Sequence, residues 1–379
     1  MTVTLKDVAR RAGVSIPTVS LIINGRDLPF KESTRRAVLE AVEALNYRPD
    51  SMARRTANKS NRRDAVALLL RSESASRVSN APVYEFICGV NDVLMERDQF
   101  LVMMKLHQLE QRSGGPPPRV IAERFIDGLI VETGLPEELE EAVARYRIPT
   151  VRLNTNLHGA SDCIYPDEEH AGRLVTDHLL DLGHRAVAFV APVGAGWPDA
   201  HFSVRDRQSG YEQAMAARRL APRVLQEVRV PDPQAERVGA AVGTTSADLS
   251  AAAAAVAASR ATDAPVTGVV TYDIGQAIRL IANLREAGLA CPADVSVVAA
   301  DDLRYLRRMW PDLSGVTCDR YQMGRGAAEM MLAKIGAGNE PQPSRVFRGA
   351  LITGGTTAAP VVEAVKTSGK PRRAAKSHR

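Results

Sequence analysis

Thr4-Leu5-Lys6-Asp7-Val8-Ala9-Arg10-Arg11-Ala12-Gly13-Val14-Ser15-Ile16-Pro17-Thr18-Val19-Ser20-Leu21-Ile22-Ile23-Asn24-Gly25 is the stretch that decides how this chain is read. Thr4 and Asp7 have capping-box spacing, so a helix is predicted from Leu5, with Leu5, Val8, Ala9 and Ala12 on one face. Gly13 ends it. Ser15 suits the N-cap of a second helix, and Pro17 is tolerated in its first turn. Val19, Ile22 and Ile23 form the inward side of that helix, while Ile16, Pro17, Ser20 and Leu21 face outward. Asn24-Gly25 stop it. A third helix is predicted from about Glu32 to Leu45, burying Val38, Ala41, Val42 and Leu45. Two short helices about a tight Gly13-Val14-Ser15 turn make a helix-turn-helix, a unit whose second helix fits a DNA major groove.

The charge distribution agrees with a nucleic-acid-facing head. Residues 1–63 carry thirteen Lys/Arg against six Asp/Glu, and the last fourteen residues carry six against none. With an overall net charge of +5, residues 64–365 are left at −8. A basic head on an acidic body points to DNA at the head. The tail from residue 364, with Lys366, Lys370, Arg372, Arg373, Lys376 and Arg379 and little apolar content, is expected to be solvated and disordered. Cys88, Cys163, Cys291 and Cys318 lie far apart without metal-ligand spacing, as free thiols in a reducing cytosol would. No apolar run approaches the roughly 20 residues of a membrane span, and no signal-peptide core opens the chain. A cytoplasmic protein with no membrane partner is expected.

From Asp64 the pattern changes. Apolar runs at 65–70, 100–104, 126–131, 149–153, 186–191, 224–230, 266–271 and 295–300 alternate with helical segments. Such continuous runs predict parallel strands covered on both faces, and there are enough of them for two sheets. The fold class expected is an all-α helix-turn-helix head plus an α/β body of two doubly wound parallel-sheet subdomains around a cleft. The divisions expected are 1–48 for the head, 49–63 for a hinge helix and linker, 64–363 for the body and 364–379 for the tail.

The opening residues resemble the start of the lactose-repressor/galactose-repressor family, with its pattern T-x-x-D-V-A-x-x-A-G-V-S-x-x-T-V-S. The match continues through Asn24-Gly25, Thr34-Arg35 and Asn46-Tyr47-Arg48-Pro49. In the body, Asp127-Gly128-Leu129-Ile130, His178-Leu179-Leu180-Asp181-Leu182-Gly183-His184-Arg185 and Pro292-Ala293-Asp294-Val295-Ser296-Val297-Val298 resemble further family motifs in the right order. The resemblance covers about residues 3–360. It implies a periplasmic-binding-protein-like body and a transcriptional regulator, most often a repressor, working as a homodimer on a pseudo-palindromic operator in double-stranded DNA.

The resemblance also implies residue roles. Ile16, Pro17 and Leu21 fall at base-reading positions, and Thr4, Ser15, Thr18, Ser20 and Asn24 at positions for phosphate contact or positioning. Leu21 stands where many relatives have Arg; it cannot make a bidentate guanine contact. Ile16 and Leu21 can alternatively be part of the core. In the hinge, Met52, Ala53, Arg54, Arg55 and Thr56 face DNA, with Thr56 where the family places a minor-groove Leu wedge. Weaker kinking with a steeper salt dependence is expected. Tyr84, Asn154, Trp197, Arg207, Asp273 and Asp301 are the candidate effector-binding residues, of which Arg207 and the two aspartates suit a sugar or related polyol, and less well a nucleoside. Asp273 and Asp301 can instead cap the helices after their strands. Asp167-Glu168 replaces the usual Asp-Asn, and Ala299-Ala300-Asp301-Asp302 lacks the usual aromatic beside the pocket.

Gly194-Ala195-Gly196 lacks the Lys-Ser/Thr of a phosphate loop and reads as a cleft-lining loop. The alanine-rich stretch 248–260 reads as one surface helix. No nucleophile–base pair or metal cluster suggests an enzyme, and no cofactor is expected. A solute-binding protein of a transport system shares the two-lobed body, but the head and the missing export signal argue against it.

Overall fold

The computed structural model describes residues 3–23, 30–47, 63–70, 81–106, 118–132, 134–156, 161–193, 201–231, 245–302 and 312–361. The chain divides into two compact units, Met1–Arg63 and Asp64–Arg379.

The first unit holds α1 (Leu5–Ala12), α2 (Ile16–Ile23) and α3 (Glu32–Ala44). The Asp7 carboxylate accepts from Thr4 N at 3.0 Å and Thr4 Oγ1 at 2.6 Å, and these bonds hold it below the usual carboxylate range. Gly13 closes α1 at φ 66°, a left-handed conformation that needs no Cβ. Ser15 Oγ accepts from Thr18 N and caps α2. Val8, Ala9, Val19, Ile22, Val38, Ala41 and Tyr47 form the core. Val42, Leu45 and Ile23, expected inside, are only half-buried against it.

The second unit contains two six-stranded sheets. Lobe one is built on β1 (Ala65–Leu70), β2 (Phe100–Lys105), β3 (Gly128–Glu132), β4 (Thr150–Leu153), β5 (Cys163–Pro166) and β13 (Arg345–Phe347). Its order is β13-β5-β4-β3-β1-β2, parallel throughout. Helices α4 (Ala81–Met95) and α11 (Arg320–Gly336) cover one face; α5 (Arg119–Ala122) and α6 (Glu137–Arg145) cover the other. Lobe two is built on β6 (Val187–Ala191), β7 (Arg223–Gln226), β10 (Gly268–Thr271), β11 (Ser296–Asp302), β12 (Ser314–Thr317) and β14 (Ala350–Ile352). Its order is β14-β12-β11-β10-β6-β7, with only β14 antiparallel. Helices α7 (Glu168–Asp181) and α8 (Phe202–Ala217) lie on one side, α9 (Ser250–Ser259) and α10 (Ile274–Glu286) on the other.

The chain passes between the lobes three times: from β5 into α7 at Asp167, from β12 into α11 at Cys318-Asp319, and from β13 into β14 at Arg348-Gly349. Arg348 Nε donates to Asp167 Oδ2 at 3.1 Å, tying the third crossing to the first. Within lobe two, α7 and α8 meet backbone to backbone. A Cβ on Gly172 would lie 2.0 Å from Arg207 O, and one on Gly210 would lie 2.0 Å from Glu169 O.

Two sequence expectations need correction. The run 224–230 is not one strand. It breaks at buried Glu227 into β7, which joins the lobe-two sheet, and β8 (Val228–Pro231), which pairs with β9 (Thr245–Asp248) in a separate antiparallel ribbon. The alanine-rich segment is helical, but it is not merely a surface element. Ala252, Ala253 and Val256 are buried in the lobe-two core, where small side chains let the helix sit close to the sheet.

Candidate DNA-reading surface and inter-lobe site

The N-terminal turn of α2 presents Ser15, Ile16 and Pro17 to solvent, with Ile16 44% exposed. Thr18, Ser20 and Leu21 are half-buried on the same helix. Thr4 sits at the start of α1 with its N–H and hydroxyl both donated to Asp7. Ser15 Oγ and Thr18 Oγ1 lie 2.8 Å apart and share a hydrogen bond. The turn thus offers an exposed apolar side chain beside small hydroxyl groups that can donate and accept hydrogen bonds. Asn24 and the hinge residues Met52, Ala53, Arg54, Arg55 and Thr56 lie outside the described residues, as do the tail and the 194–196 loop.

In the second unit, Arg207 and Asp301 come together where the lobes join. Arg207, on α8, is 4% exposed. Its Nε donates to Glu168 Oε2 at 2.6 Å and its Nη2 to Glu168 Oε1 at 2.8 Å, a bidentate pair with the first residue of α7. Nη2 also donates to Asp301 Oδ1 at 3.1 Å, at the end of β11, and Nη1 to Tyr272 O at 2.7 Å. The guanidinium lies 4.7 Å from the Tyr272 ring centroid. Arg320, on the second crossing, donates to the same Asp301 oxygen at 3.4 Å. Burial opposes the charge on Arg207, but Glu168 and Asp301 hold it firmly protonated. Pro166, Val316, Cys318 and Gly349 help close the space around the cluster to about 10 Å³, room for a single water.

Asp273 takes the capping role that its position after β10 allows: its Oδ1 accepts from Gln276 N at 2.7 Å. Burial, and then the charges of Asp301 and Glu227, push its carboxyl up to about 6, against the hydrogen bond from Gln276. Asp301 accepts from two arginines. Asn154 ends β4 in a left-handed conformation, φ 59°. Its carbonyl accepts from His201 Nε2 at 3.0 Å, while Oδ1 is buried with no hydrogen bond among the described residues.

His201 connects Asn154 to the arginine cluster. Because Nε2 faces a carbonyl it carries the proton, so Nδ1 accepts from Ser203 Oγ at 2.7 Å. Ser203 Oγ therefore accepts from the Tyr272 hydroxyl at 2.8 Å. Burial pushes that phenol up to about 12, so it remains a donor. This directed chain and the bond from Asn156 Nδ2 to Asp206 Oδ2 at 3.2 Å join lobe one to lobe two. The structure is thus closed over the cluster.

Tyr84 is not part of this arrangement. It stands on α4, 64% exposed, beside Cys88, and does not line the cavity at Arg207. Trp197 lies outside the described residues. Glu168, Arg320, Tyr272, Ser203 and His201 were not among the sequence candidates. Only Glu168 carried a signal, as the acid in Asp167-Glu168. Among the described residues no cluster of His, Cys, Asp and Glu is arranged to hold a metal ion, and no helix is long and apolar enough to cross a membrane.

Comparison with known proteins supplies the family. Residues 4–50 match the bacterial regulatory proteins of the lacI family, and residues 176–357 match the periplasmic binding protein-like domain. The HTH-type transcriptional repressor PurR of Vibrio campbellii is 28% identical over 340 residues, covering 88% of this chain and 92% of that protein. The HTH-type transcriptional regulator GalR of Salmonella typhimurium is 27% identical over 352 residues, covering 92% and 94%. The fold is similar to that of the lac repressor dimer bound to operator and the anti-inducer ONPF, with a TM-score of 0.71 at 21% identity, covering 95% of this chain and 100% of that one. With its helix-turn-helix head and its two-lobed body, the chain belongs to the lacI family of bacterial regulatory proteins.

Proposed function

We propose that this protein is a cytoplasmic, homodimeric transcriptional repressor, a regulator rather than an enzyme, whose hold on a pseudo-palindromic operator is set by a small ligand in the inter-lobe cleft. The single observation that carries this reading is the basic head that presents Ser15, Ile16 and Pro17 on an exposed helix start. Two heads related by a dimer axis match two half-sites of opposite orientation. Ile16, Pro17 and Leu21 read base edges, and Thr4, Ser15, Thr18, Ser20 and Asn24 position the helix on phosphates. Leu21 offers a methyl-packing surface and no guanine fork, so the operator lacks the guanine contact an arginine would make there. Arg54 and Arg55 strengthen the electrostatic grip, and Thr56 wedges less than a leucine.

The ligand belongs between the lobes because Arg207, Asp301, Asp273 and Asn154 gather there and bonds across the lobes close over them. A sugar or related polyol, ahead of a nucleoside, suits acceptors of this kind. Opening and closing would move the lobes relative to each other, and a coupling of about 1–3 kcal/mol to operator affinity suffices.

The test is selection of a preferred duplex from a random pool, followed by fluorescence anisotropy at several salt concentrations. A palindromic winner bound at least about tenfold more tightly than scrambled duplex, with that preference lost in Ile16→Ala/Leu21→Ala, is the expected outcome. Equal affinity for every duplex would overturn the reading.

A further inference from the structure

We propose that Glu168 is a built-in anion that fills the slot offered by Arg207, so that the cleft excludes acidic ligands and selects one that is uncharged or cationic and donates hydrogen bonds. The inference rests on the cleft being the ligand site.

The accounting of donors carries it. Arg207 has five N–H groups, and four are already used: two on Glu168, one on Asp301 and one on Tyr272 O. Its guanidinium face is covered by the Tyr272 ring. The edge that would bind a ligand carboxylate bidentately is therefore occupied by a carboxylate of the chain itself, 5% exposed. Arg320 is equally buried; it faces Asp301 and the Phe86 ring.

Carboxylates, in contrast, crowd the same space. Glu168 and Asp301 lie on Arg207, Asp301 also on Arg320, and the charges of Asp301 and Glu227 reach Asp273 beside them. Burial pushes the Asp273 carboxyl up first, and the charges of Asp301 and Glu227 add to that push. At the other end of the Tyr272–Ser203–His201 chain, Asn154 Oδ1 is buried without a donor among the described residues. An acid entering this space would meet those carboxylates, and it could reach Arg207 only by driving Glu168 out of a bidentate bond. A hydroxyl or an ammonium group meets no such repulsion and could donate to Asn154 Oδ1.

The slot can be opened and refilled. Glu168→Ala and Glu168→Asn in the full chain leave Arg207 facing a vacancy the size of a small carboxylate. Melting and calorimetric titration are run with sodium formate against sodium chloride at equal ionic strength. Both variants should melt below wild type. Formate should restore most of the loss and bind the variants at least about tenfold more tightly than wild type. Adding Arg207→Ala should abolish the rescue. The Asn variant carries the same readings if the Ala variant does not accumulate. Formate stabilising wild type as much as the variants would overturn the proposal, as would variants that melt like wild type and ignore formate. Neither reading involves DNA, so a failure of operator binding or of ligand control is registered separately.

Discussion

Replacing Gly172 by alanine puts a methyl group where the backbone of the neighbouring helix runs. The new Cβ would lie 2.0 Å from the carbonyl oxygen of Arg207, and real Cβ atoms essentially never come within 3.0 Å of such a neighbour. Helices α7 and α8 must therefore separate by about 1 Å or more. Neither side can yield locally, because the obstacle is backbone rather than a flexible side chain. The same two helices carry Glu168 and Arg207, whose bonds of 2.6 and 2.8 Å would stretch to about 3.6 Å or beyond, outside hydrogen-bond range. Overpacking by itself costs about 1–3 kcal/mol, and weakening a buried ion pair adds to it, so Gly172→Ala should lose at least about 3 kcal/mol. Urea unfolding followed by circular dichroism measures this, with Gly210→Ala expected to behave alike because its Cβ would meet Glu169 O. Gly336→Ala is the control: nothing lies within 4 Å of its Cβ, and it ends α11, so it should be neutral or gain up to about 1 kcal/mol. A Gly172→Ala midpoint indistinguishable from wild type would refute the close-packing argument and, with it, the coupling of that contact to the ion pair.

Other outcomes follow from the same geometry. Asp273, whose carboxyl is pushed up from 3.8 to about 6, binds its proton more readily folded than unfolded, so its contribution to stability is present below about pH 4 and lost as pH rises through 6. Asp273→Asn keeps a capping oxygen and should raise stability at pH 7 by up to about 3 kcal/mol, with no difference from wild type near pH 3; an unchanged pH profile in denaturant melts would refute this. His184 has the opposite sign: burial lowers it from 6.5, so its contribution is present above pH 6.5 and lost on acidification, and His184→Gln should flatten the acid limb of the same profile. Asp7→Ala removes the acceptor of two bonds at the start of α1 and should destabilise the head by about 0.5–2 kcal/mol, read as earlier loss of amide-exchange protection at Val8 and Ala9.

The strands of both sheets were legible wherever they are long and buried on two faces, because Ala65–Leu70 or Val187–Ala191 have no polar side to interrupt the run. The shortest pieces were not. Cys163–Pro166 and Arg345–Phe347 are three or four residues of mixed character, and only their partners make them strands. The helix-turn-helix could be read because capping, turn and core positions all lie within a few residues of each other. The cleft was half legible. Arg207 and Asp301, two of the residues the sequence offers for an effector, lie 3.1 Å apart. That Glu168 would take the arginine's best edge could not be read, because a partner 39 residues away is chosen by the packing of α7 on α8. Tyr84 stands apart from the Arg207 cluster, because an aromatic near the start of a helix says nothing about which way that helix turns its side chains.

The three crossings also constrain the order in which the molecule can be made. Among the described residues, the core of the head is drawn from residues 3–47 alone. Lobe one is different. Its α4 side chains Phe86, Val90 and Val93 are covered by Met323, Ala327 and Met330 of α11, and its last strand arrives only at Arg345–Phe347. During synthesis the first half of lobe one therefore emerges with an apolar face that stays uncovered until some two hundred further residues have been added. Lobe two, whose strands β6, β7, β10, β11 and β12 are made without interruption, can assemble in the interval. A translating ribosome must hold an open first lobe and wait, which makes the α4 face the place where a chaperone, or aggregation, meets this protein first.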